Sequence, residues 1–329
     1  MASEASLNVS ASLLPLLGSL ISVCIALYFL KPRIFEQTIT IASSKRTVLI
    51  TGCSDGGMGA ALAVAFHNAG LNVIATARNP DKMVKLKAVG IETISLDILS
   101  QESINEAVSN VSSLDILVNN AGTAYSMPFS DLDLEQAKET FDTNVWAQLV
   151  ITQAFLPLLL KSKGMIVNQT SVVSTTAVPF QSAYNASKAA MAIFSDTARL
   201  ELEPFGIKVI ELKTGAVSTN MIKNQKENTP ITLPAGSLYE PAREAVESAM
   251  RNDKMGSMGT PADRWAAEVV GDLMKKNPPA MIWRGAQAKA GRLGTLFPHG
   301  MLDSTMKKMT GLDIVKEKVR KSQVNVSCD

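Results

Sequence analysis

Several features that would fix a protein's class are scarce in this chain. Its 329 residues include three cysteines, Cys24, Cys53 and Cys328, too scattered for a disulfide framework or a metal cluster. Two histidines occur, His67 and His299, and neither has companion ligands at metal spacing, so no metal site is expected. An excess of one charge is also missing. With 32 Lys and Arg against 30 Asp and Glu, the net +2 gives no reason to invoke nucleic acid. There is no internal repeat or low-complexity segment to suggest an array.

What the chain does have starts near its first residues. Ala11 to Leu30 is twenty residues without a charge, and as a helix it would be about 30 Å long, the thickness of a hydrocarbon core. The run lacks a basic leader and a clear small-residue cleavage site, so a retained anchor is expected rather than a removed signal. Glu4 is the only charge before it, while Lys31, Arg33, Lys45 and Arg46 follow. That asymmetry places the C-terminal side in the cytosol. The expectation is a single-pass membrane protein of the endoplasmic reticulum or lipid droplet, in contact with membrane lipid. A helix lying on the surface, or a hairpin at Pro15 and Gly18, is the alternative.

Beyond the anchor, apolar strands alternate with amphipathic helices, the pattern of a doubly wound α/β Rossmann fold. Strands are expected near 47–52, 71–77, 91–97, 114–119, 164–170, 206–212 and 280–283, giving a seven-stranded parallel sheet. Long helices are expected from Asp133 to about Lys161 and from Ser182 to about Glu203. The division is then 1–40 as anchor and linker, 41–290 as the dinucleotide domain with a substrate lid at 220–261, and 291–329 as a C-terminal tail.

Short motifs carry the chemistry. The run Thr47-Val48-Leu49-Ile50 opens into Thr51-Gly52-Cys53-Ser54-Asp55-Gly56-Gly57-Met58-Gly59 and then an alanine-rich helix, as a strand does when it turns into a phosphate-binding helix N-terminus. A second strand ends in Asn119-Asn120-Ala121-Gly122, and Asn144 lies inside a helical stretch. Ser171 closes an apolar run, with Tyr184 and Lys188 following four residues apart. Four residues of helix rise about 6 Å, so phenol and ammonium would leave one face together. A cation there favours phenolate and would lower the tyrosine pKa, suiting it to pass a proton to or from an alcohol oxygen.

Together these residues resemble the classical short-chain dehydrogenase/reductase family over roughly Arg46 to Gly285. The Gly56-Gly57 insertion and Ile282-Trp283-Arg284-Gly285 are most similar to fungal reductases of the NADPH-dependent 1-acyldihydroxyacetone-phosphate reductase type. The resemblance implies a catalytic tetrad of Asn144, Ser171, Tyr184 and Lys188. It also implies cofactor contacts from Gly52, Ser54, Gly56, Gly57, Met58, Arg78, Asp97, Asn120, Tyr184, Lys188, Val217 and Thr219. In the family, Ser171 would hold the substrate oxygen against the Tyr184 phenol, Lys188 would bind the nicotinamide ribose and Asn144 would position a water. A homodimer through the two long helices is implied as well, with Ala186, Ala189, Ala190, Met191 and Ile193 offering contacts. The chain departs from the pattern twice, by one extra residue in the glycine motif and by Thr214 in place of the proline before Gly215.

Cofactor choice is read at the end of the second strand, where Ala77 replaces the carboxylate of NAD enzymes and Arg78 follows. A guanidinium suits a 2′-phosphate, so NADP(H) is expected over NAD. Asp55 in the glycine loop argues the other way, since a carboxylate would repel a phosphate. The lid mixes Pro, Gly and apolar residues, as a cover for a small hydrophobic substrate would; a solvent-exposed loop is the alternative. The tail carries apolar residues from Leu293 to Leu302 and then Lys307, Lys308, Lys316, Lys318, Arg320 and Lys321; it docks on anionic lipid or caps the pocket. The expected activity is interconversion of a ketone and a secondary alcohol, on acyl-dihydroxyacetone phosphate or on a terpenoid, steroid or polyketide. The alternatives are a noncatalytic membrane-associated binding protein retaining the fold, and a sugar-nucleotide epimerase.

Overall fold

The computed structural model describes residues 45–219, 231–252 and 259–326, with side chains to 321. The expected anchor and parts of the lid lie outside the described residues. Strands β1 (Thr47–Ile50), β2 (Asn72–Ala77), β3 (Glu92–Ser95), β4 (Ile116–Asn119), β5 (Met165–Ser171) and β6 (Lys208–Thr214) form the main sheet. Two short strands, β7 (Val217–Ser218) and β8 (Thr260–Pro261), pair separately, and β9 (Met281–Arg284) completes the sheet. Its order is β3-β2-β1-β4-β5-β6-β9 with every pairing parallel. The seven expected strands are therefore present, their ends moved by a few residues.

The helices are α1 (Met58–Asn68), α2 (Val84–Ala88), α3 (Gln101–Asn110), α4 (Leu134–Phe141), α5 (Ala147–Ser162), α6 (Ser182–Leu202), α7 (Arg243–Met250), α8 (Ala262–Leu273), α9 (Ala288–Gly294), α10 (Asp303–Thr310) and α11 (Leu312–Val326). Successive strand residues point to opposite faces, and the core divides accordingly. Val48, Ile50, Ile116 and Val118 face Leu62 and Phe66 of α1 and Trp265 and Val269 of α8. Leu49 and Leu117 face Ile104 of α3 and Ile151, Phe155 and Leu159 of α5. Both faces are dry, which is why the strands read as unbroken apolar runs.

Leu134 to Ser162 is one helical run, long and apolar enough by composition to cross a membrane. Its Ile151, Phe155 and Leu159 are wholly buried, so here it serves as a core helix. In its middle, Asp142–Trp146 winds as π-helix. Such single-turn bulges rotate a side chain out of the regular repeat, often at a functional site.

A third apolar cluster lies away from the sheet. Phe180, Leu233, Ala242, Val246, Met250 and Val315 form it, with Met127, Tyr239, Leu312 and Val319 against its edge. The segment expected as a tail thus supplies, through α11, part of the packing around α7.

Candidate active site

β1 and β4 are neighbours in the sheet but leave it in opposite directions of winding, the switch point at which doubly wound sheets bind ligands beyond their C-terminal strand ends. Thr51 joins the two strand ends. Its hydroxyl accepts from the N–H groups of Asn120 and Ala121, each at 3.0 Å. Asn120 returns its side-chain amide to the carbonyls of Thr51 (2.8 Å) and Gly52 (3.2 Å). Its Oδ1 is buried and finds no hydrogen-bond partner among the described residues.

The extra residue of the glycine motif is absorbed in a tight turn. The Gly57 N–H donates to Ser54 C=O at 3.0 Å, and Gly56, third in that turn, takes φ 77°, where a side chain would strain the backbone. Gly57 becomes the N-cap of α1. Two residues on, Gly59 lets α1 rest on the strand ends: a Cβ there would lie 2.6 Å from Asn120 Nδ2 and closer still to the Gly52 carbonyl oxygen. No side chain caps the N-terminus of α1. Its first N–H groups can serve an anion, and the bare glycine backbone admits a pyrophosphate. These features fit a nicotinamide dinucleotide.

The other expected cofactor residues fall around this crevice. Met58 opens α1, half-buried against the core. Arg78 is exposed at the end of β2, and none of the described residues forms an ion pair with it. The Asp55 carboxylate, expected to oppose a phosphate, accepts from the Lys85 N–H of α2 at 3.3 Å and so has a backbone donor of its own. Asp97 accepts from the Leu99 N–H at 3.0 Å, while Ser100 caps α3. Val217 packs against the core from β7, and Thr219 follows it, half-buried. Gly215, after Thr214, lies directly against the carbonyl of Ala286, an approach that excludes any side chain.

The four tetrad residues come from three elements and meet at one place. Ser171 ends β5, and its hydroxyl lies beside the Tyr184 phenol, near enough to lower its pKa. Tyr184 and Lys188 share one face of α6, with Nζ 5.9 Å from the centre of the tyrosine ring. Lys188 is only 5 % exposed and donates to the Gln169 carbonyl at 3.0 Å. Asn144, turned inward by the π-helix, donates to Thr123 C=O (2.9 Å) and Ser187 Oγ (3.0 Å) and accepts from the Thr123 N–H (2.8 Å). A Cβ on Gly122 would lie 3.0 Å from Asn144 Oδ1 and 3.6 Å from Lys188 Nζ. Glycine here lets β4 run on beneath both groups.

The electrostatics differ from the expected sign. Burial raises the Tyr184 pKa, and the Ser171 hydroxyl draws it back only in part. Burial also lowers Lys188 to about 8. A desolvated ammonium is a weak source of positive potential, because the same burial that would strengthen its field disfavours its charge. A second correction concerns the dimer face. Met191 is buried, whereas Ala186, Ala189 and Ile193 are exposed.

The sequence reading passed over four contributors: Thr51 as the strand stitch, Ser187 as the partner of Asn144, Gln169 as the acceptor for Lys188, and Phe180. The last has φ 66°, an outlier for a bulky residue. Its C=O accepts from the Met127 N–H at 2.7 Å, and its ring meets Tyr239 edge-on at 5.7 Å. Only Ser187 had a signal, lying one turn from Tyr184 within the motif.

The family model for short chain dehydrogenases matches residues 46–230. This chain is a short-chain dehydrogenase/reductase. A short-chain dehydrogenase/reductase of Pestalotiopsis microspora is 66% identical to it over 280 residues, covering 85% of this chain and 99% of that one. The NADPH-dependent 1-acyldihydroxyacetone phosphate reductase of Schizosaccharomyces pombe is 38% identical over 268 residues, 78% of this chain and 90% of that protein. Among solved structures, a short-chain dehydrogenase from Streptomyces avermitilis superposes with a TM-score of 0.66 at 26% identity, covering 84% of this chain and 99% of that one. As a family member, this dehydrogenase/reductase is an oxidoreductase of the nicotinamide-dependent kind.

Proposed function

We propose that this dehydrogenase/reductase uses NADP(H) to interconvert a ketone and a secondary alcohol on a hydrophobic substrate. The observation that carries the reading is the buried Lys188 ammonium 5.9 Å from the centre of the Tyr184 ring, with the Ser171 hydroxyl beside the phenol. When bound, the nicotinamide supplies or takes up the hydride. The chain's residues handle the proton. Ser171 and Tyr184 direct their hydroxyls to one substrate oxygen, and the Tyr184 phenol gives that oxygen its proton in reduction and removes it in oxidation. Raised by burial, the phenol holds its proton through neutral pH, the state that reduction requires. Lys188 steadies the tyrosine and the cofactor ribose, and Asn144 fixes Thr123 and Ser187 around them.

Gly52, Ser54, Gly56, Gly57 and Met58 would seat the pyrophosphate end, Asn120 and Asp97 the adenosine side, and Val217 and Thr219 the nicotinamide end. Arg78 favours the 2′-phosphate, and the NADPH-dependent yeast relative supports that choice. The same relative makes an acyl-dihydroxyacetone phosphate one candidate substrate, beside terpenoid, steroid or polyketide ketones. A homodimer is supported by exposed Trp146, Ile193 and Leu200 on the two long helices, with Trp146 and Phe194 stacked edge to face at 6.2 Å. The uncharged run at 11–30 supports residence at the endoplasmic reticulum or lipid droplet, with the catalytic domain in the cytosol.

An NADPH-consumption screen of the detergent-solubilised full chain tests the reading, run against acyl-dihydroxyacetone phosphate, long-chain ketones, steroids and terpenoid ketones. Turnover on one class identifies the substrate, and none on any would sink the proposal. Arg78→Ala should weaken NADPH by roughly tenfold to a hundredfold, the worth of a charge-assisted bond, and NADH little. Equal losses for both would overturn the cofactor choice.

A further inference from the structure

Helix α9 has an inner and an outer side. On the inner side, a Cβ on Gly291 would lie 3.3 Å from Val172, the residue after Ser171, and 3.5 Å from Trp283. At about 100° per residue, Lys289 and Leu293 point about 160° away from Gly291, and Leu296 about 140°. The coil continues that far, because Thr295 N–H donates to Gly291, Leu296 to Leu293 and Phe297 to Gly294. The outer side is apolar and uncovered. Leu293 is 55 % exposed, Leu296 77 %, Phe297 42 % and Met301, in the next turn, 60 %. Single exposed apolar residues are ordinary, whereas four large ones within nine positions form a patch with a purpose.

The charges that neighbour this patch along the chain are mostly positive. From Ala286 to Thr310 the chain carries Lys289, Arg292, Lys307 and Lys308 against Asp303 alone. Apolar side chains bordered by cations match the boundary of an anionic bilayer, where hydrocarbon meets phosphate. We propose that this face lies on an anionic phospholipid bilayer, with Leu293, Leu296, Phe297 and Met301 entering the headgroup boundary and the four cations against lipid phosphates. The wall next to Ser171 is then about one helix diameter, roughly 10 Å, from lipid. This gives an apolar substrate a short path from the bilayer.

Hydrogen–deuterium exchange on the full chain tests the proposal without relying on activity. Vesicles of phosphatidylcholine with about one quarter phosphatidylserine should slow amide exchange across 292–301 by about tenfold, with less slowing on pure phosphatidylcholine or at high salt. In the double variant Leu296→Asp, Phe297→Asp, the protection should vanish while the thermal midpoint stays put. If vesicles leave 292–301 unchanged, the proposal fails. It fails equally if the same amides become protected without lipid as protein concentration rises, since a second copy would then be the occupant.

Discussion

The cofactor end of this enzyme and the satellite cluster around α7 are held together by different means. At the cofactor end, backbone meets backbone: Thr51 ties β1 to β4, and Gly59 rests on Gly52 and Asn120 with no space to spare. In the satellite cluster, the contacts are side chains gathered from remote parts of the chain, Met127, Phe180, Leu233, Val246 and Val315. Polar ties support them, among these the Met127 N–H to the Phe180 carbonyl at 2.7 Å, the Leu233 N–H to Glu247 at 3.0 Å and Ser237 donating to Asp131 at 2.6 Å. A backbone lattice of this kind tolerates no side chain, whereas a satellite cluster can be repacked with other hydrophobics of similar volume. The first arrangement suits a ligand of fixed shape.

The largest effect should come at the tetrad. Tyr184→Phe keeps the ring and its packing but removes the proton, so kcat should fall by about 10²–10⁴-fold. Cofactor affinity, followed by NADPH fluorescence, should change little. If instead binding is lost and turnover per bound enzyme is kept, Tyr184 belongs to the cofactor lattice and not to the chemistry.

Gly59→Ala probes the lattice itself. The added methyl meets the Gly52 carbonyl and the Asn120 amide, neither of which can move without opening the β1–β4 switch point. Overpacking of this kind costs roughly 1–3 kcal/mol and more where backbone must shift. Urea unfolding should show at least that loss, together with a large drop in cofactor affinity. A variant of normal stability and affinity would mean that the cofactor end is as plastic as the satellite cluster.

Lys188 should make the stability of the enzyme without cofactor depend on pH. Burial lowers its pKa to about 8 in the folded chain, against about 10.4 when unfolded. Between those values the unfolded chain holds the proton and the folded chain has released it, so stability rises with pH across the window. The rise should approach about 3 kcal/mol, each pKa unit being about 1.4. Below the window both states are protonated, and the full cost of burying the ammonium is felt. Lys188→Met should flatten the profile between those limits, and an unchanged slope would assign it to another group.

Much of this comparison was legible in the sequence. Val48, Ile50, Ile116 and Val118 announced their strands because both faces of the sheet are dry. Tyr184 and Lys188 announced their shared face because helical spacing leaves no other arrangement. The sign of the Tyr184 shift was not legible, since it depends on how completely the phenol is covered, and that is decided by residues far away in the chain. Met191 was read as a contact residue, yet the rotation of α6 turns it into the interior. The π-turn at Asp142–Trp146 left no trace either. It is stabilised by bonds from Asn144 to Thr123, 21 residues earlier, and to Ser187, 43 residues later. The satellite cluster, assembled from such distances throughout, has no motif at all.

The smallest expected effect provides the sharpest control. Gly236 lies beside the satellite cluster in the chain with φ 79°, and none of the described residues comes within 4 Å of where its Cβ would be. Ala at this position meets only the intrinsic penalty of left-handed backbone, about 1–2 kcal/mol, with no neighbour to displace. Gly236→Ala should therefore cost less stability than Gly59→Ala in the same urea titration, although Gly59 needs no unusual φ. It should also leave NADPH affinity untouched. Were Gly236→Ala the more damaging of the two, backbone conformation would outweigh close packing in this fold. The contrast between a rigid cofactor end and a forgiving satellite cluster would then have to be given up.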